Sequence, residues 1–373
     1  MGRTLPSLVE WPLPAARAAA PTMASLRRQL LNLFVHEPLS VTMVHARRAF
    51  SWAKNIMPRL NKALPPRLKR FAFKEYTEER LPPGLAPLAA FEVHSKRVAR
   101  LLAGNPGSFT LHGTNCYVVG TGPRRVLVDA GEGRPAFGPA LQLALAELDC
   151  TIDRVVITHR HFDHVGGIAQ LRELFPHALE VRKLLQRRFK FDPGRYNAPP
   201  GCDEGYDGSL TDGERIAVDG ETTLRVWHTP GHCEDHACFV LEEERALFSG
   251  DNVLGTGSSW FEDLRTYMRT LNDMLRASRD QELRRLYPGH GPPSGDAPGK
   301  IQEYVDHRAK REAQVLGALD DGGVTSFQIV KAIYPALPPY LTFAAQHNVL
   351  AHLAKLEADG AAVNRRVDLW ART

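Results

Sequence analysis

No run of roughly 18 apolar residues occurs in the 373-residue chain, so nothing in it is long enough to cross a bilayer as a helix, and no membrane insertion is expected. Cysteine is scarce. Cys116, Cys150, Cys202, Cys233 and Cys238 are scattered and form no C-x-x-C pair, which argues against a disulfide framework and suits a reducing compartment. Neither G-x-x-x-x-G-K-[ST] nor G-x-G-x-x-G is present, so the glycines around Gly113, Gly120 and Gly122 read as turns and not as a phosphate loop. Internal repeats are missing too, and an apolar share of 43% with 24% charge is that of an ordinary globular chain.

Acidic residues are rare at one end. Residues 1–83 hold 14 Lys+Arg against 5 Asp+Glu, which leaves 33 against 37 for the remainder, so the head carries +9 and the rest −4. The overall +5 therefore describes the head and says little about the partner of the rest. Between Met1 and Arg70 only Glu10 and Glu37 are acidic, and no secretory-type apolar core follows the start. Residues 23–60 can be drawn as an amphipathic helix, and Arg48-Ala-Phe-Ser51 resembles a mitochondrial processing site. Import into the mitochondrial matrix is the expectation; a disordered basic tail on a cytoplasmic protein is the alternative.

From about Val93 the texture changes to short β-branched runs closed by Gly, Pro, Asn and Asp. These predict strands over 116–119, 125–129, 154–158, 224–228, 238–241 and 246–249. Apolar spacing of three and four over 141–148 and 166–175 predicts helices between them, an α/β arrangement. After Pro298 helices are expected over 301–319, 326–333 and 343–359, then a short hairpin near 361–369. Thr325-Ser-Phe-Gln328 has the form of a capping box. The expected organisation is a basic extension over 1–83, a catalytic domain over 84–297 and a small helical domain over 298–373.

The densest chemistry is Thr158-His159-Arg-His161-Phe-Asp163-His164-Val-Gly166-Gly167, directly after the apolar run Val155-Val156-Ile157. Imidazole and carboxylate bind a borderline metal such as zinc at ~2.0–2.2 Å, and four donors on one short loop cannot all reach a single tetrahedral ion. His159 and His161 would serve one ion, Asp163 and His164 a second. Three more donors follow strand-like runs, each beside glycine: Gly231-His232, Gly250-Asp251 and Gly289-His290.

In this order and spacing the donors resemble the metallo-β-lactamase superfamily, over roughly residues 93–293. Asn105-Pro, Leu111-His-Gly-Thr-Asn-Cys-Tyr-Val, Gly120-Thr-Gly-Pro-Arg-Arg-Val-Leu-Val-Asp129 and Thr229-Pro-Gly-His-Cys-Glu-Asp-His236 resemble its β-lactamase-like protein 2 group. That group includes mitochondrial endoribonucleases acting on single-stranded RNA and fungal thioesterases that release polyketides from a carrier protein. The resemblance implies an αββα sandwich, a C-terminal winged-helix-like domain and two Zn2+ ions per chain. His159, His161 and His232 would take one ion, Asp163, His164 and His290 the other, and Asp251 would bridge them. A hydroxide between two cations ~3.5–4 Å apart would then be the nucleophile. Asp163 would orient it. His236 would either contact substrate or support a ligand, and Asp129 resembles the family's carboxylate that orients a ligating histidine. For His112, His177, His228, His307, His347 and His352 no role is expected, and most should face solvent.

Such a site hydrolyses phosphodiesters and thioesters alike, so the walls must name the substrate. The segment around Lys183, Arg187, Arg188 and Lys190, with Phe189, Phe191 and Tyr196, has the charge and rings a single-strand groove uses, although a solvated basic helix fits the same composition. The first expectation is an endoribonuclease acting on single-stranded RNA. The second is an acyl-thioester hydrolase acting on a carrier-bound polyketide or a glutathione thioester. Asp129-Ala-Gly-Glu-Gly-Arg-Pro135 is similar to the thioesterase branch, whereas Arg160-His161-Phe162 departs from its usual Trp-His-His.

Overall fold

The computed structural model describes residues 81–176, 179–185 and 205–373. The expected import segment, and Arg187, Arg188 and Lys190 of the basic segment, lie outside the described residues.

Among the described residues the catalytic part is built on two sheets. The first has seven strands in chain order: β1 (Phe91–Val93), β2 (Val98–Leu102), β3 (Asn115–Val119), β4 (Arg124–Val128), β5 (Thr151–Ile157), β6 (Glu180–Leu184) and β7 (Gly208–Leu210). It runs antiparallel from β1 to β4 and parallel from β4 to β7. The second holds β8 (Arg215–Asp219), β9 (Thr222–His228), β10 (Ala237–Leu241), β11 (Ala246–Gly250) and β12 (Arg285–Pro288), in the order β12-β11-β10-β9-β8.

Alternation along these strands explains the layering. Val126, Val128 and Val156 of the first sheet meet Val226, Phe239, Leu241 and Phe248 of the second in one buried core. The alternate residues point outward. Cys238, Val240 and Leu247 pack under α4 (Leu264–Asp280) and α5 (Ala297–Gly317), while the first sheet's outer face carries α1 (Phe137–Glu147) and α3 (Ile168–Leu174) beyond the short α2 (Phe162–Val165). The inner strands β2, β3, β10 and β11 are thus buried along their whole length and read as nearly continuous apolar runs, whereas β8 and β9 alternate between buried and more exposed residues.

All six strands read from sequence are present. The sequence reading placed no element between Asp251 and Leu283, where α4 runs for 17 residues, capped by the Asp263 side chain. Its buried Leu264, Tyr267, Leu271, Met274 and Leu275 follow helical spacing, so the signal was there.

The C-terminal part packs α6 (Ser326–Ile333), α7 (Thr342–Ala358) and the hairpin β13 (Ala362–Arg366) with β14 (Leu369–Arg372) around Ile329, Val349, Leu353 and Trp370. The capping box forms, with Thr325 Oγ accepting from Gln328 N and Gln328 Oε1 from Thr325 N. Among the described residues no helix is long and apolar enough to cross a membrane.

Candidate metal centre

Strand ends bring the donors together. β4 and β5 run parallel in the first sheet, and β9, β11 and β12 point one way in the second, so the loops after all five leave at one edge of the sandwich. Those loops carry Asp129; His159, His161, Asp163 and His164; His232; Asp251; and His290. Thr114 and Asn115 lock the edge: Asn115 Nδ2 donates to the carbonyls of Pro288 and Gly291, each at 2.8 Å, and Asn115 N to that of Gly289 at 2.7 Å. Glycine is required where backbone meets donor. A Cβ on Gly289 would lie 2.3 Å from Asp251 Oδ1.

Two clusters result, His159/His161/His232/Asp251 and Asp163/His164/Asp251/His290, sharing Asp251. In the first, His161 Nδ1 is 2.9 Å from both His159 Nε2 and His232 Nε2, and these two are 3.2 Å apart. Hydrogen bonding cannot account for that convergence. His232 Nδ1 lies 2.7 Å from the carbonyl oxygen of Trp260, to which it must donate, leaving a bare lone pair on Nε2 in the neutral ring. Donors ~2.0–2.1 Å from one tetrahedral ion would stand about 3.3 Å apart, which these nitrogens nearly do.

In the second cluster His290 Nε2 lies 3.0 Å from Asp163 Oδ2 and 3.4 Å from Asp251 Oδ2, and His164 Nε2 lies 3.3 Å from Asp163 Oδ2. His164 Nε2 and Asp251 Oδ1 are buried with no hydrogen-bond partner. Buried, unsatisfied donor atoms turned toward a shared point are what a cation would complete. The residues therefore fit two cations.

Protonation separates the clusters. Burial holds His159 far below the ordinary imidazole range, and lowers His161 to about 4 and His232 to about 3, so these three histidines are neutral near pH 7. Burial also acts against charge on His290 and His164, but the carboxylates of Asp251 and Asp163 overcome it, with Asp129 helping at His164. They raise His290 to about 10 and His164 well above its usual value. The same pairs hold Asp163 and Asp251 well below the carboxylate range.

Behind the ligands, Asp129 organises both clusters. Its Oδ2 accepts from His164 Nδ1 at 2.8 Å, and its Oδ1 accepts from Thr158 N at 2.8 Å. Thr158 Oγ, 2.9 Å from Asp129 Oδ2, donates to the carboxylate and accepts from His159 Nδ1 at 3.0 Å. One carboxylate thus fixes the tautomer of a histidine in each cluster.

Burial decides two of the expected roles. His236 is fully buried just before β10; its Nε2 accepts from Asp251 N at 3.1 Å and its Nδ1 lies 2.9 Å from Thr229 Oγ. Of its two expected roles, substrate contact or support of a donor, this geometry fits the second, with His236 bracing Asp251 from behind. Lys183 is buried on β6, where it pairs with Asp235 and not with a phosphate. Among the histidines given no role, most of which were expected to face solvent, His112 and His352 are buried, the first bonding the Ala86 carbonyl at 2.9 Å and the second between α5 and α7.

Sequence reasoning missed the loop before α4. Ser259 Oγ sits 3.2 Å from His232 Nδ1 beside the Trp260 carbonyl. The Trp260 ring lies 6.1 Å from that of His161 and 6.2 Å from that of His232. No ligand motif marks these residues; only their position after Asp251 hints at them.

A two-sheet sandwich with paired His/Asp clusters at one edge defines a class of metal-dependent hydrolases. The chain belongs to the metallo-beta-lactamase superfamily, which matches residues 109–290, and a beta-lactamase associated winged helix domain matches residues 325–370. It is similar to a beta-lactamase-like protein 2 homolog from Caenorhabditis elegans, 40% identical over 76% of this chain and 91% of that one. It is also similar to an atrochrysone carboxyl ACP thioesterase from Aspergillus chevalieri, 40% identical over 71% and 82% of the two chains. Among solved structures it matches a metallo-beta-lactamase family protein from Thermus thermophilus, 26% identical, TM-score 0.56, over 70% of this chain and 94% of that one. A beta-lactamase domain protein from Burkholderia ambifaria, 21% identical, shares the fold with TM-score 0.64 over 78% and 96%.

Proposed function

We propose that the chain is a dinuclear zinc hydrolase of acyl thioesters, with a carrier-bound acyl group as substrate. The observation that carries this is the similarity, over 71% and 72% of this chain, to two proteins named as carrier-protein thioesterases. Two features of the site support it. The described cations of the basic segment are already held in ion pairs, Lys183 with Asp235 and Arg182 with Glu214. With His236 buried, that histidine cannot protonate a leaving group; a thiolate, of pKa about 8.5, needs little protonation near neutrality, whereas an alkoxide does.

Cations bound at the two clusters would polarise the thioester carbonyl and make water a nucleophile near neutral pH. The protein's own part follows from exposure. His161 and Asp163 are the two partly exposed members of the donor set, so substrate arrives on their side. Asp163 stands there to accept a hydrogen bond from the attacking water and aim it at the carbonyl carbon. The C–S bond breaks as the C–O bond forms, and the products are the acid and the free thiol.

A second reading, cleavage of single-stranded RNA, keeps the support of the cations and rings over 187–196, which lie outside the described residues. One experiment separates the two. Zinc-loaded protein and its Asp163→Ala variant are given the S-benzoyl thioester of N-acetylcysteamine and, separately, a single-stranded RNA. Thiol release that disappears in the variant, without RNA cleavage, is the expected result. RNA cleavage lost in the variant, with thioester turnover no faster than free zinc gives, would replace the thioesterase reading with the nuclease one.

A further inference from the structure

We propose that the winged-helix domain supplies one wall of the acyl site, through His347 of α7 stacked on Trp260, and that this wall selects thioesters with a flat, conjugated acyl group. The inference rests on the thioesterase reading and adds the acyl class. Five of the seven donors are buried, and the partly exposed pair, His161 and Asp163, marks the direction from which a carbonyl can arrive. Trp260 stands on that side, 6.1 Å from the His161 ring. It is a fixed platform, because its own carbonyl holds His232 Nδ1. The His347 ring lies 4.9 Å from it at an interplanar angle of 29°, so the two form a slab of nearly parallel rings, partly exposed and reaching from a metal ligand to the second domain. Phe343, one turn earlier on α7 and so on the face of His347, is 82% exposed, and Phe162, next to His161, is 37% exposed.

The stacked Trp260 and His347 rings favour a planar π-system over a saturated chain. A thioester carbonyl at the metals would place its acyl substituent within one ring's reach of Trp260. The winged helix would then act as a specificity element of the catalytic site.

The test measures kcat and KM of the metal-loaded full chain with S-acetyl and S-(2-naphthoyl) thioesters of N-acetylcysteamine, followed by thiol release. In His347→Ala the naphthoyl-to-acetyl ratio of kcat/KM is expected to fall about two- to tenfold, the span of aromatic-pair energies, mainly through KM. His347→Phe should restore it, at unchanged metal content. Should His347→Ala fail to fold, Phe343→Ala, altered at an exposed position, is read by the same ratio. Turnover of both thioesters with an unmoved ratio overturns this inference alone. Turnover of neither by wild-type protein that holds its metals overturns the thioesterase reading, and this inference with it.

Discussion

Replacing Asp129 by Asn tests the metal centre without touching a ligand. The wild-type carboxylate accepts from Thr158 N, Thr158 Oγ and His164 Nδ1, and at 1% exposure it has no water to substitute for any of them. An amide keeps the shape but presents one oxygen and one NH2, so either His164 or Thr158 faces a donor. If His164 moves its proton to Nε2 to escape the clash, the lone pair needed by the cation is gone. A hydrogen bond to a charged group contributes about 1.5–3 kcal/mol. At ~1.36 kcal/mol per decade that predicts roughly 10- to 150-fold weaker metal binding, in line with the 10–100-fold typical of such supports. Because Thr158 passes the same carboxylate's influence to His159, both clusters should weaken. Competition against a chromophoric chelator reads the affinity and stoichiometry directly. Wild-type affinity in Asp129→Asn would refute the coupling of the two clusters through this residue.

Two further outcomes follow. Cations entering the Asp163/His164/Asp251/His290 cluster must displace imidazolium protons. Metal-free His290, raised to about 10, contributes stability that is complete below the ordinary imidazole pKa of about 6.5 and is lost as pH rises through 10. The thermal-midpoint gap between metal-loaded and chelated protein should therefore widen from pH 6.5 to 9; a flat or narrowing gap would contradict the assigned charges. Gly231 has φ +132°, and a Cβ there would sit 2.4 Å from Tyr267 Cα on α4. Gly231→Ala should destabilise by about 1–3 kcal/mol of backbone strain or more and loosen the metal held by the adjacent His232; an unchanged thermal midpoint with full metal content would count against it.

The ligand set was legible because the chain concentrates it. Four donors lie in six residues after the apolar run Val155-Val156-Ile157 that ends β5, and the other three stand beside glycines that make room for them. The inner strands were legible because they are buried along their length, and β9 because its buried and half-buried residues alternate. Depth was not legible. Whether His236 or Lys183 meets substrate depends on what packs over it, and that is contributed by residues far away in sequence: Asp251 N closes off His236, and Asp235 takes Lys183. Trp260 carries no motif, because its place beside the donors is geometric, whereas α4 was legible in its regular apolar spacing.

The corrected role of Lys183 shows how the centre is held. Arg160, between two donor histidines, is 6% exposed and donates to Asp235 Oδ1 at 2.8 Å and to Glu262 Oε1 at 2.5 Å. Lys183 takes the other oxygen of Asp235, whose carboxyl is lowered to about 2 by Lys183 and Arg160 against its burial. The group of four is electrically neutral, and it ties together the loop after β5, the loop after β9, the strand β6 and the segment leading to α4. Buried ion pairs add little net stability compared with well-packed apolar residues, but breaking one leaves a stranded charge, so they punish misplacement. That property suits a site whose donors come from separate loops and must converge within a few tenths of an ångström. Arg160 thus anchors the loop that carries His159 and His161, through Asp235 and Glu262.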